Sequence, residues 1–180
     1  MAKTDRRVID KVFILLGLAA AVVLAVAGSL GWYAYRFADN QVRTELSAQK
    51  IYFPAKGSPA LDPEEYPTLQ QYAGQLVDNG LKAKAYANDY IGHHLQKIAG
   101  GMTYSEVSAL AMKDPTNAKL AQQKQSLFQG ETLRGLLLGD GYAFWTFGQI
   151  AKYASLAALT GAAVMAVLVV LGLGHLRKVR

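Results

Sequence analysis

Cysteine is absent from the 180 residues, and histidine occurs only three times. Without thiols the chain forms no disulfide, builds no thiolate metal site and carries no thiol nucleophile. Proline is scarce too, and four of the five prolines (Pro54, Pro59, Pro63 and Pro67) crowd with Gly57 into residues 51–67. That stretch reads as an irregular connection, because proline removes a backbone donor and clashes with the preceding helical turn. The absence with the largest consequence is of charge. Val12 to Tyr35 contains no Asp, Glu, Lys or Arg, nor does Tyr153 to Leu176, whose only ionisable group besides tyrosine is His175. Each run is about 24 residues, roughly 36 Å as a helix, against a hydrocarbon core of about 30 Å. A buried helix of a water-soluble domain rarely stays uncharged for that long. The pattern predicts an all-α membrane protein: a two-helix transmembrane hairpin bearing a helical extracytoplasmic domain. Its divisions are a basic tail (1–11), a first span (12–35), an outer domain (36–152), a second span (153–176) and a second basic tail (177–180). Ala25-Val26-Ala27 resembles a signal-peptide cleavage site, but the apolar run continues well past it, so the first span is expected to be retained.

Charge sets the orientation. The net charge is +6, carried by Lys3, Arg6, Arg7 and Lys11 before the first span and Arg177, Lys178 and Arg180 after the second. The residues between the spans are nearly balanced. Basic residues flanking short tails mark the cytoplasmic side, which places both termini in the cytoplasm of a bacterial-type plasma membrane. Trp32, Tyr33, Tyr35 and Phe37 close the first span, and Tyr142, Phe144, Trp145, Phe147 and Tyr153 lead into the second. Such amphipathic rings favour the headgroup region of the opposite face. No basic groove with interleaved aromatics accompanies the charge, so nucleic acid is not an expected partner.

Between the spans, Arg36 to Ser47 is expected to prolong the first helix, with Val42 and Leu46 as its apolar points. A helix over Gly80–Ala99 follows, capped by Asp78 or Asn79 and stopped by Gly100-Gly101. Thr103-x-x-Glu106 matches a capping box opening a short helix to Met112. Asp114-Pro115 reads as an N-cap with proline at the first helical position, opening a helix to Leu138 that Gly139-Asp140-Gly141 kinks.

Few residues offer chemistry. At 100° per residue, Ala87, Tyr90, Ile91, His94 and Ile98 share an apolar sector of the Gly80–Ala99 helix, whereas His93 falls on the polar side near Asp89. His94 is therefore expected to be buried and hydrogen-bonded. On the next helix Leu120, Leu127, Glu131 and Leu138 form a stripe, and Glu131 with Arg134 has the spacing of an ion pair. His94, Glu131 and Arg134 together form a candidate buried polar cluster that fixes helix register. Neither span carries an acid or base of the kind a proton or ion pathway needs. The spans carry small residues at every fourth position instead: Gly17, Ala21, Ala25 and Ser29 in the first, Ala154, Ala158, Ala162 and Ala166 in the second. Such stripes let helices approach closely, either within the hairpin or against another membrane protein or second copy.

Ile91-x-x-His94, Gly101-Met102-Thr103-Tyr104-Ser105-Glu106 and Leu127-Phe128-x-Gly130-Glu131-Thr132-Leu133-Arg134-Gly135 together resemble motifs of a group of small actinobacterial membrane proteins. In these, two spans flank a helical outer domain. The resemblance covers both spans and residues 72–145, and implies the same topology. Some members carry the label of aromatic ring-opening dioxygenase. A non-haem iron site of that kind needs converging histidine and carboxylate ligands, and here His175 lies at the cytoplasmic end of the second span.

The expected function is a non-catalytic accessory or scaffold subunit of a larger cell-envelope or plasma-membrane complex, without cofactor or metal. No enzyme activity is expected. Only a few residues follow the second span, so any signal passes through another protein. The alternative is an extracytoplasmic binding module for a small molecule or lipid. A cavity lined by His94, Glu131 and Arg134 would favour that alternative, and direct mutual contact would favour the scaffold.

Overall fold

In the computed structural model, which describes residues 3–178, the fold is all-α. Helix α1 covers Lys3–Gln49 and α6 covers Phe144–Lys178. Both are long and apolar enough to cross a membrane. Between them lie 3₁₀ turns at Pro59–Leu61 and Pro67–Tyr72, α2 (Gly80–Ala85), a π-helical turn (Tyr86–Gly92) and α3 (His93–Ala99). Helices α4 (Tyr104–Lys113) and α5 (Ala118–Leu136) follow, then a second π-helical turn (Leu137–Ala143). The chain divides into a helix-pair unit, residues 1–37 with 147–180, and a central unit, residues 38–146.

In the helix-pair unit the two helices run antiparallel. Ile14 lies against Gly172, Gly17 against Val169, Leu24 against Gly161, Gly28 against Leu159 and Gly31 against Ser155. The covered positions of α1 include Ile14, Gly17, Ala21, Leu24, Gly28 and Gly31, alternating steps of three and four; those of α6 include Ser155, Ala158, Ala162, Met165, Val169 and Gly172. This 3.5-residue repeat is that of a left-handed coiled coil. The approach is closest at Gly28, where a Cβ would stand 2.7 Å from the Leu159 side chain, and at Gly31, where it would stand 3.2 Å from Ser155 Cβ. There the buried Ser155 hydroxyl donates to the Gly28 carbonyl at 2.5 Å.

The small-residue stripes read from the sequence fall only partly on this seam. Gly17, Ala21 and Ala162 are buried and Ala25 and Ala158 half-buried, whereas Ser29, Ala154 and Ala166 are exposed. A step of four residues rotates by 40° beyond a full turn, so a strict fourth-position stripe leaves the contact line after two or three members. Ser29 bonds back to its own helix, donating to the Ala25 carbonyl at 2.8 Å.

In the central unit, α1 continues past Phe37 as expected, burying Val42 and Leu46 and ending at Gln49, where Lys50 takes a left-handed φ of 53°. The proline-rich connection is irregular but makes one short antiparallel pairing: Tyr52 bridges Leu76, and Phe53 N donates to Gln75 O at 2.9 Å. Phe53, Leu61, Leu69, Val77 and Leu137 are buried at the centre of the larger core, with Tyr66 beside them. Leu95, Ala99, Val107 and Leu127 form a second, smaller core where α3, α4 and α5 meet.

The caps explain where helices begin. Asn79 accepts from Lys82 N at α2, and Thr103 and Glu106 form the full capping box at α4. Gly100 and Gly101, with φ of 60° and 84°, stop α3. One expected cap is corrected: α5 starts at Ala118 under Asn117, not at Pro115 under Asp114. Asp114 closes α4 instead, and its carboxylate accepts from the Thr116 hydroxyl and the Asn117 amide. The cap of α5 is the Asn117 side chain, which accepts from Leu120 N at 3.2 Å.

Candidate functional site: a polar cleft in the central unit

The π-helical turn at Tyr86–Gly92 decides which side chains reach the site. Such a turn carries one residue more than an α-helical turn and advances the phase of everything after it. Before it and at its start, Gly80, Ala83 and Ala87 face inward; after it, Leu95 and Ala99 do. On an uninterrupted helix those inward places belong to His94 and Ile98. His94 is consequently exposed, and the expectation that it is buried in a cluster with Glu131 and Arg134 is corrected.

His93 holds the partnered position. Its Nε2 lies 2.9 Å from Glu65 Oε1, and its ring meets the Tyr66 ring edge-on at 5.1 Å. The Lys97 ammonium, one turn further on, pairs with the same Glu65 oxygen. Lys97 first, then the Tyr66 hydroxyl, hold the Glu65 carboxyl below its ordinary range. The converse acts on Tyr66: burial chiefly, and the hydrogen bond to Glu65 next, push its phenol up to about 12. Tyr66 also meets Tyr90, which meets Tyr86, which meets Phe53, so the Glu65–His93 pair sits at the end of a run of ring contacts into the larger core.

Arg134 anchors the other side. Its Nη1 binds both carboxylate oxygens of Glu131, at 3.0 and 2.8 Å, as the sequence spacing predicts. Its Nε donates to the Ala87 carbonyl at 3.1 Å and its Nη2 to Asn88 Oδ1 at 3.3 Å. Gly92 lets the guanidinium lie close: a Cβ there would be 3.4 Å from Arg134 Cζ. Arg134 therefore ties α5 to the π-helical turn itself. Gly130, one turn earlier, lets Leu95 pack over α5, where a Cβ would come within 2.5 Å of the leucine methyl.

Of these, Glu65, Asn88, Gly92, His93, Glu131 and Arg134 line an open cleft of about 480 Å³, with Thr68, Asp89, Gln96 and Thr103 completing its polar rim. Of the three residues read from the sequence, the structure brings Glu131 and Arg134 together and leaves His94 out. Glu65, Tyr66, Asn88, Gly92, His93 and Lys97 were not anticipated as partners. Only His93 had a visible signal, as one of two adjacent histidines. Among the described residues no group of three His, Cys, Asp or Glu is placed to hold a metal ion. Comparison of the chain with protein-family models, curated proteins and solved structures finds no match.

Proposed function

We propose that this chain is a plasma-membrane protein with two spans and both tails in the cytoplasm. Its central unit lies outside the cell and serves as the docking module of a non-catalytic accessory or scaffold subunit. The observation that carries the membrane reading is the outward surface of the helix pair. Phe13, Val23, Val170 and Leu171 are each more than 60% exposed, and large apolar residues flank them along both helices. An apolar surface of that continuity far exceeds what a water-soluble monomer leaves uncovered. Lipid is the solvent that suits it.

The scaffold reading draws on how the cleft's ionic groups are engaged. Arg134 is bound to Glu131, Asn88 and a backbone carbonyl, and Glu65 is paired with Lys97, with His93 Nε2 2.9 Å away. Side chains so committed fix the register of neighbouring elements, a use to which polar networks are well suited. The actinobacterial two-span group that the sequence resembles has the same expected topology. Purification from native membranes in a mild detergent is expected to co-isolate a membrane partner in stoichiometric amount; a monomeric particle without partner removes the proposal.

A second reading is favoured by the cleft itself, which stays open although its ionic groups pair with one another. In that reading the central unit binds a polar small molecule there and signals through a partner. Ligand-dependent protection of His93 from chemical modification distinguishes it from the scaffold, which predicts none.

A further inference from the structure

The helix pair ends in two grooves, one on each side of its seam, that share Ile14 and differ in charge. One, of about 430 Å³, is lined by Asp10 and His175 above Phe13, Met165, Leu168 and Val169. The other, of about 730 Å³, is lined by Arg7, Lys11 and Arg177 above Leu15, Leu173 and Leu176. Among the described residues lining this second groove, none is acidic. The two helices arrive at the arrangement in opposite chain directions. On α1 the order is Arg7, Lys11, then Leu15, steps of four that keep one face; on α6 it is Leu173, Leu176, then Arg177. Antiparallel packing thus sets Arg177 beside Arg7 and Lys11 at the tail end, with Leu176 level with them and Leu15 and Leu173 about 6 Å further in than Lys11 and Arg177.

We infer that this cationic groove holds an anionic phospholipid of the inner leaflet, its phosphodiester at Arg7, Lys11 and Arg177 and an acyl chain along Leu15, Leu173 and Leu176. The inference rests on the membrane reading proposed above. Charge complementarity selects the occupant. Guanidinium groups pair with phosphate oxygens in a forked geometry, the ammonium adds a point charge, and basic pockets between helices on the cytoplasmic side suit anionic headgroups. The neighbouring groove, with its carboxylate, lacks that complementarity and serves as an internal control.

The full-length chain in mild detergent, exposed to equal amounts of phosphatidylglycerol and phosphatidylcholine of matched acyl chains, gives the test by native mass spectrometry. Retention of phosphatidylglycerol is expected to exceed that of phosphatidylcholine on the order of tenfold or more, since each nearby cation adds to the attraction. The preference should vanish in the triple variant Arg7→Gln, Lys11→Gln, Arg177→Gln. It should also vanish in Leu173→Trp or Leu15→Trp, which fill the groove and leave every charge in place. Asp10→Asn should keep it. Helical circular dichroism and melting equal to wild type establish that each variant is folded. Equal retention of the two lipids by the wild-type chain overturns the inference. So does a preference that survives in the folded tryptophan variants, which would mean diffuse attraction rather than a groove. Displacement of the lipid by an equal concentration of glycerol phosphate overturns the lipid as occupant in favour of a free phosphate. These results leave the membrane reading standing, whereas recovery of the native chain in the aqueous fraction after lysis defeats both.

Discussion

The helix pair and the central unit place their large apolar side chains on opposite sides. In the central unit Phe53, Leu61, Leu69 and Leu137 are fully buried. In the helix pair the seam holds Gly17, Ala21, Gly28, Gly31, Ser155 and Ala162, while Phe13, Leu15, Val23, Leu30, Val170 and Leu171 face outward. Water drives the first arrangement, because burying apolar area there is favourable. In lipid that gain disappears, and helices associate through close backbone approach and interhelical hydrogen bonds. The inversion between two regions of one chain is what the proposed membrane reading predicts, with water around the central unit and lipid around the helix pair.

Breaking the seam should have the largest effect. Gly28→Leu sets a side chain where even a Cβ would meet Leu159 at 2.7 Å, and overpacking of this kind costs about 1–3 kcal/mol or more. Since the chain has no native cysteine, a Gly31→Cys, Ser155→Cys pair reports the seam by oxidative cross-linking. The pair is expected to cross-link in an otherwise native background and to fail once Gly28→Leu is added. Undiminished cross-linking would show that the glycines do not set the approach. Ser155→Ala alone is a milder break, losing a bond worth about 0.6–2 kcal/mol in a membrane.

In the central unit the comparison sharpens at Arg134. Arg134→Met keeps the stem and removes the donor to the Ala87 carbonyl, so unfolding of that unit should become easier by about 1–3 kcal/mol. His94→Ala, at an exposed position, should change stability by less than about 0.5 kcal/mol. Thermal melts of both variants check the pair, and the opposite ranking would restore His94 to the core.

That ranking marks where sequence reasoning stopped. Several helix ends were legible because they depend on a few local groups: Asn79 at α2, Thr103 with Glu106 at α4, Gly100 and Gly101 after α3; the start of α5 was not, because Asn117 rather than Asp114 caps it. The Glu131–Arg134 pair was legible for the same reason, since both residues sit on one uninterrupted stretch of α5. The partners of the cleft were not. Periodicity assumes a constant turn, and the π-helical turn at Tyr86–Gly92 shifts every later side chain by one place, exchanging His94 for Leu95. The Glu65–His93 contact joins an irregular segment to a helix 28 positions away, a pairing no local pattern encodes. The seam failed more gently, because fourth-position stripes and a 3.5-residue repeat coincide for a turn or two before they part.

The smallest effects are expected from titration. Glu65 has its carboxyl held low by Lys97 and Tyr66, so its contribution is fully present above the ordinary carboxylate range. It fades as pH falls through the folded value. Glu65→Gln should flatten the acid limb of the central unit's stability measured below pH 4.5. At the other end, the Tyr66 phenol raised to about 12 favours the neutral form in the fold. Stability should decline as pH climbs from the ordinary 10 toward that value, the raised phenols of Tyr86 and Tyr90 adding to the decline, and Tyr66→Phe should lessen it. An unchanged alkaline limb in Tyr66→Phe would mean that the phenol is not confined as described.

The two-solvent account is tested most directly by asking which aqueous compartment each part of the chain meets. Met112, 69% exposed on α4, and Lys178, exposed at the end of α6, are suitable single-cysteine sites in a cysteine-free chain. With a membrane-impermeant maleimide on intact cells, Met112→Cys is expected to label at once and Lys178→Cys only after lysis. Labelling of Lys178→Cys in intact cells with Met112→Cys protected would contradict the account.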